Sequence, residues 1–376
     1  MRYLLPLALI AGFVVGQSDS VAAPQSKSVE IAICLDTSNS MDGLIESAKL
    51  KLWTIVNDLA KIDPTPSLRV AIYQYGNDNL NSQAGWVRQE IGLTDDLDDV
   101  YKKLNALKTR GGTELVARVC RDALNDLKWS NRTDGLKLIF VCGNEPADQD
   151  KEVALKDVAT LAIKKGIVIN TIYCGMATNP EAALWREFAT IAGGKYLNID
   201  QSRAQLQARI KTPHDEALLK LNDKLNGTYL NYSGRSGAEK QMNQAKQDGN
   251  ALAAAPGAAI DRLATKNSKL YNCSAWDIID KMKNDPQFDL KSIKEENLCE
   301  ELRKIKPDDR IAYLKKKAAE REELQKEIEQ LTAKRSAYIQ EQIQKKPQDE
   351  KTKALDEAIR GIIREQAQAK GLNIPK

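Results

Sequence analysis

Histidine is almost missing from this 376-residue sequence, with a single one, His214, beside 56 lysines and arginines and 52 aspartates and glutamates. Nucleophile chemistry driven by an imidazole base, and zinc sites that need two imidazoles, therefore lose their usual material. Charge of one sign is also lacking: the net charge of +4 is too balanced for a chain built to neutralise phosphates, which makes nucleic acid a poor partner. No glycine-rich dinucleotide fingerprint and no phosphate-loop Lys-Ser or Lys-Thr follows any predicted strand, so nucleotide binding has no support. With six cysteines the chain is no disulfide-dense miniprotein, and beyond its first residues no apolar run reaches the roughly twenty positions a membrane span requires.

What is present is unevenly placed. Residues 1 to 200 carry 22 basic and 25 acidic side chains, whereas residues 201 to 376 carry 34 and 27. A mixed-core domain followed by solvated helices fits this break. At the front, Arg2 precedes an apolar run from Leu4 to Val15 and then Val21-Ala22-Ala23. That pattern reads as a secretory signal peptide over 1–23, cut after Ala23, and predicts a mature protein exported to the periplasm or the extracellular space. In such an oxidising compartment, Cys273 and Cys299 are the favoured disulfide candidate, while Cys34, Cys142 and Cys174 lie in apolar runs and read as buried thiols, and Cys120 sits on an apolar helix face.

Up to residue 200 strands alternate with helices. Apolar runs at Val29–Leu35, Leu68–Tyr75, Trp86–Leu93, Leu136–Cys142 and Ile167–Cys174, with a last short one at Lys195–Ile199, predict strands. Helical spacing covers the stretch from Gly43 to Leu59, Leu97–Leu107, Leu115–Leu127 and Val153–Lys165, and Asn179-Pro180 opens another helix. This order predicts an α/β fold, a doubly wound and mainly parallel sheet whose ligands sit beyond the carboxyl ends of the strands.

At that edge the first strand runs into Asp36-Thr37-Ser38-Asn39-Ser40. One carboxylate and two hydroxyls just before a helix can aim three oxygens at a hard divalent cation. Gly111-Gly112-Thr113 permits a close approach and offers Thr113 as a fourth oxygen, although each hydroxyl alone also suits a helix cap.

These residues resemble the von Willebrand factor A domains, whose metal-ion-dependent adhesion site has the pattern Asp-x-Ser-x-Ser, a distant Thr, and an Asp after the fourth strand. Asp36, Ser38, Ser40 and Thr113 match the first four positions, and the resemblance spans about residues 28 to 205. It implies a Rossmann-like sheet holding Mg2+, or Mn2+ or Ca2+ in its place, with an open coordination position for an acidic group on a protein partner. At the fifth position the family has Thr-Asp-Gly-Glu-Pro where this chain has Cys142-Gly143-Asn144-Glu145-Pro146, so Asn144 and Glu145 become the candidates to replace the absent carboxylate. One carboxylate fewer weakens cation affinity. The same text resembles a group of exported bacterial A-domain proteins with a degenerate site. A strand ending in Asp also begins the haloacid dehalogenase-type phosphotransferases, but their second Asp is here Ser38, which removes the proton-transfer partner.

The second half reads as an arm: a helical linker region over 206–306, with one helix from Gln205 to Leu230 and loosely packed glycine- and alanine-rich segments after it, then a charged helical region over 307–376. Leu324, Ile328, Leu331 and Tyr338 form a narrow stripe that Arg335 interrupts and that Ala318 and Arg321 thin further, and Leu355, Ile359, Ile362 and Ile363 offer a mate. The pattern predicts an antiparallel coiled-coil hairpin of 308–346 with 351–370, a surface for self-association. The expectation is a non-enzymatic binding protein acting through a cation, and the alternative is a metal-free scaffold acting through its C-terminal helices.

Overall fold

Strands buried on both faces must be apolar at almost every position, and the first strand, β1 (Ser28–Asp36), obeys this because it lies in the middle of the sheet. A computed structural model describes residues 27–62, 64–198, 211–344 and 355–372; the leader at 1–23 lies outside them. Five further strands are β2 (Ser67–Tyr75), β3 (Val87–Thr94), β4 (Leu136–Gly143), β5 (Val168–Tyr173) and β6 (Tyr196–Asn198). They line up as β3-β2-β1-β4-β5-β6, all parallel except β3, which runs antiparallel at one edge.

Helices cover both faces. Val29, Ile31 and Leu35 point to the side of α1 (Asp42–Ala60) and α2 (Leu97–Ala106), while Ala32 and Cys34 point to α3 (Val116–Asp126), α4 (Leu155–Lys165) and α5 (Glu181–Ile191). Strand order reverses at β1, with β2 on one side and β4 on the other. The loops that follow these three strands therefore meet at one rim, the place where open α/β sheets bind ligands.

The second half is more tightly joined to the sheet than an arm would be. Its helices are α6 (Asp215–Asn226), α7 (Gly234–Ala254), α8 (Pro256–Lys266), α9 (Ile278–Asn284), α10 (Glu300–Arg303), α11 (Arg310–Gln344) and α12 (Leu355–Ala369). The expected helix over 205–230 is shorter. It begins after Pro213, which supplies no N–H, and Thr212 and Asp215 hydrogen-bond each other at its start; residues 205–210 lie outside the described residues. The glycine-rich stretch is a 21-residue helix, not a loose one. A Cβ on Gly237 would lie 1.6 Å from the Tyr232 carbonyl oxygen, so the glycine is there for close packing.

The predicted coiled-coil hairpin is not the pairing that forms. α11 packs on α6, α8 and α9, whereas α12 packs on α1. The arginines that interrupt the α11 stripe are its buried contacts: Arg321 pairs with Asp277 at 2.7 Å and lies 4.1 Å from the Tyr229 ring, and Arg335 pairs with Asp215 at 3.1 Å. Ile362, Ile363, Ala367 and Leu372 complete the core on the α1 side of the sheet. The Cys273–Cys299 bridge does not form either. None of the six cysteines is in a disulfide, with Cys273 buried beside Tyr271 and Trp276 and Cys299 packed against a separate cluster with Leu298 and Leu302.

A buried ionic group fastens the two halves. Arg262, 1 % exposed, lies 2.6 Å from Asp98 of α2 and 2.5 Å from Asp248 of α7, with its guanidinium 4.9 Å from the Trp53 ring of α1. Lys266 reaches Asp248 at 2.8 Å, and the Tyr271 hydroxyl donates to Asp98 at 2.6 Å. Burial works to raise the Asp248 carboxyl, but Lys266 and Arg262 outweigh it and hold it well below the usual range. The unfolded chain thus takes up this proton first on acidification. The contribution is complete above about pH 4 and is lost as the pH falls further toward the folded-state pKa. Urea midpoints measured from pH 6 to pH 2.5 should fall more steeply below pH 4 in the native protein than in Asp248→Asn.

Candidate metal-binding site

β1 delivers Asp36 to the rim, 0 % exposed, as the Cα partner of Tyr75 on β2. Its Oδ1 accepts the Ser38 N–H at 2.7 Å, a local turn that swings the next residues back over the strand end. The Ser38 and Ser40 hydroxyls then lie 3.0 Å apart, and Ser40 donates to Asn144 Oδ1 at 3.1 Å, so the loops after β1 and β4 touch. Thr37 faces away: its hydroxyl donates to Gln74 and to the Tyr75 carbonyl. Its own carbonyl accepts the Arg110 N–H at 2.9 Å, which anchors the loop between α2 and α3.

Two glycines allow that loop to come in. Gly76 has φ +72°, and a Cβ there would lie 2.8 Å from Asp36 Oδ1 and 2.7 Å from Glu114 Cγ. Gly112 approaches so closely that a Cβ would sit 2.5 Å from the Gly76 carbonyl oxygen. Thr113 is half-buried and follows Gly112 and precedes Glu114, both of which come up against Gly76. Of the Gly111-Gly112 pair, expected to permit a tight approach, Gly112 is the one that makes it.

The departure at Gly143 has a steric reason. A Cβ there would meet the Tyr75 hydroxyl at 2.6 Å and the Trp185 ring at 2.9 Å. That hydroxyl is committed to the Cys142 carbonyl at 2.9 Å, and the Trp185 indole N–H donates to the Glu145 carbonyl at 2.8 Å. An aspartate at 143 has no room. Glu145 is exposed and acts on the site through its charge.

Glu114 is the residue that the sequence reading missed. It is 6 % exposed, and its Oε2 and the Asp36 Oδ2 are both buried without a hydrogen-bond partner. Its only signal in the sequence is that it follows Thr113, where it reads as an acidic residue at a helix start. Burial pushes Asp36 up to about 7; Ser38 hydrogen bonds oppose this and Glu145 adds to it. Burial, then the neighbouring Asp36 carboxylate, pushes Glu114 up to about 8. Orphaned buried oxygens are costly and demand a partner. Among the described residues no group of three or more His, Cys, Asp and Glu side chains gathers to hold a metal; the rim offers oxygen atoms, the Asp36 carboxylate with the Ser38 and Ser40 hydroxyls. That chemistry suits a hard, oxygen-seeking cation.

The profile of the von Willebrand factor type A domain matches residues 30–210. No curated protein sequence matches. Among solved structures, a von Willebrand factor type A protein from Catenulispora acidiphila is similar at 16% identity over 48% of this chain and 40% of its own, with a TM-score of 0.37. The proximal thread matrix protein 1 of the mussel byssus, solved with zinc occupying its MIDAS motif, is 14% identical over 47% of this chain and 43% of its own, with a TM-score of 0.36. The SpRpn10 VWA domain is 18% identical over 47% of this chain and 90% of its own, with a TM-score of 0.37. The chain thus spans less than half the length of the first two.

Proposed function

From the match of residues 30–210 to the von Willebrand factor type A profile, we propose that this protein is an exported, non-enzymatic binding protein that grips a protein partner through a divalent cation at the rim of its sheet. Domains of this type typically mediate protein–protein interaction and hold a divalent metal at the adhesion motif. The single observation that carries the reading is Asp36 Oδ2, buried and unpartnered at the end of the central strand beside the Ser38 and Ser40 hydroxyls. Mg2+ or Mn2+ fits the oxygen donors. Ser40 is exposed and Thr113 and Asn144 half-buried, which gives the rim an open side on which a partner's carboxylate can complete the coordination shell. A leader cut after Ala23 belongs to the same proposal.

The test is cation binding by the full chain. Titration calorimetry should register Mg2+ or Mn2+, and a concentration one hundred times Kd should add about 2.7 kcal/mol to the unfolding free energy. Asp36→Ala should abolish both responses. Partners captured from the compartment outside the cytoplasm should be released by chelator. A native chain silent to both cations would leave the helices of the second half as the contact surface, the metal-free scaffold.

A further inference from the structure

We infer that Glu114 supplies the second carboxylate of this site, replacing the acid that the family pattern places after β4. The inference rests on the cation reading above and goes beyond it by assigning a ligand outside the family motif. A doubly charged ion bound by one carboxylate and neutral hydroxyls is left with uncompensated charge. The usual position cannot supply the second, because the Tyr75 hydroxyl and the Trp185 ring fill the volume in front of Gly143. The opposite wall does. Gly76, by having no side chain, leaves room for both residues at one spot: a single added carbon would meet Asp36 Oδ1 at 2.8 Å and the Glu114 Cγ at 2.7 Å.

A helix-capping role does not account for Glu114. It precedes Leu115, the residue that caps α3, and that helix start has no side-chain cap hydrogen bond. Nor does an ion pair: its Oε2, like Asp36 Oδ2, has no partner among the described residues. Two buried carboxyl groups in one site, each with an oxygen that lacks a hydrogen-bond partner, are relieved by a retained proton or by a cation, and the cation is the partner that the Ser38 and Ser40 hydroxyls beside them also suit. The exposed Glu145, the alternative named from the sequence, has water to solvate it and no such need.

The experiment uses the full chain at pH 7.5, with Mn2+ titrated by calorimetry and followed by melting temperature, on the native protein and on Asp36→Ala, Glu114→Gln, Glu114→Asp and Glu145→Gln. Glu114→Gln should weaken Mn2+ binding at least tenfold and lose most of the Mn2+-dependent rise in melting temperature. Its metal-free melting temperature should equal or exceed that of the native chain, a readout that a merely structural glutamate would move downward. Glu145→Gln should change affinity by less than threefold. Glu114→Asp keeps the charge but withdraws it by one methylene, so its affinity should fall between the native and Glu114→Gln values; it stands in for Glu114→Gln if that variant does not fold. Native binding lost in Asp36→Ala but kept within threefold in Glu114→Gln, or in Glu114→Asp standing in for it, overturns the assignment and leaves the cation reading intact. No Mn2+ binding by the native chain overturns both.

Discussion

Arg262→Ala should lower the unfolding free energy by about 3–5 kcal/mol, the loss expected when one partner of a buried ion pair is removed and the others are stranded. Arg262 and Lys266 balance Asp98 and Asp248, and none of the four is more than slightly exposed. Removing the arginine leaves one excess negative charge among side chains that cannot turn to water. Volume is the lesser part of the effect. Arg262→Met, which keeps most of the packing against Trp53, should be nearly as destabilising, whereas Arg262→Met combined with Asp248→Asn restores neutrality and should recover part of the loss. Urea unfolding followed by tryptophan fluorescence and by circular dichroism measures all three. A double variant no more stable than Arg262→Met alone would refute the charge-balance explanation.

Ile363→Ala should cost about 2–5 kcal/mol, the range for truncating a large aliphatic side chain in a packed core. The residue lies far outside the matched 30–210 segment, yet it is 2 % exposed in the same cluster as Val29, Ile72 and Leu138. Removing residues 345–376 takes away Ile362, Leu372 and Ala367 as well, and should abolish a single cooperative transition. Met242→Ala, at a side chain 70 % exposed, should stay within about 0.5 kcal/mol of the native value. If truncation left the melting curve unchanged, α12 would be an ornament on the fold and not a part of its core.

The sheet was legible because buried parallel strands must be written as apolar runs: Val29–Leu35 and Leu136–Cys142 can hardly be anything else. Asp36, Ser38 and Ser40 were legible because their chemistry lies within five residues of one strand end. Glu114 was not. Its partner Asp36 is 78 positions away, and nothing local distinguishes a carboxylate that faces another from one that decorates a helix start. The same limit hid the docking of the second half. Arg321 and Arg335 read as breaks in a hydrophobic stripe, because a buried arginine looks like a solvated one until Asp277 and Asp215 are brought beside it. Gly143 read as a lost ligand, and only the Tyr75 hydroxyl and the Trp185 ring show why no larger residue fits.

The placement of α12 also sets a timetable. At a synthesis rate of about 5–20 residues per second, the last strand of the sheet leaves the ribosome roughly 10–30 seconds before the helix that covers α1. Lys27, just ahead of β1, donates to the carbonyls of Lys370 at 2.6 Å and Gly371 at 3.0 Å, so the start of the sheet is tied to the end of α12. Contacts of such sequence separation slow folding by their loop-closure entropy. The nascent sheet therefore waits with part of its α1 flank uncovered, and whatever attends the chain in that interval meets an apolar surface that the finished protein no longer shows.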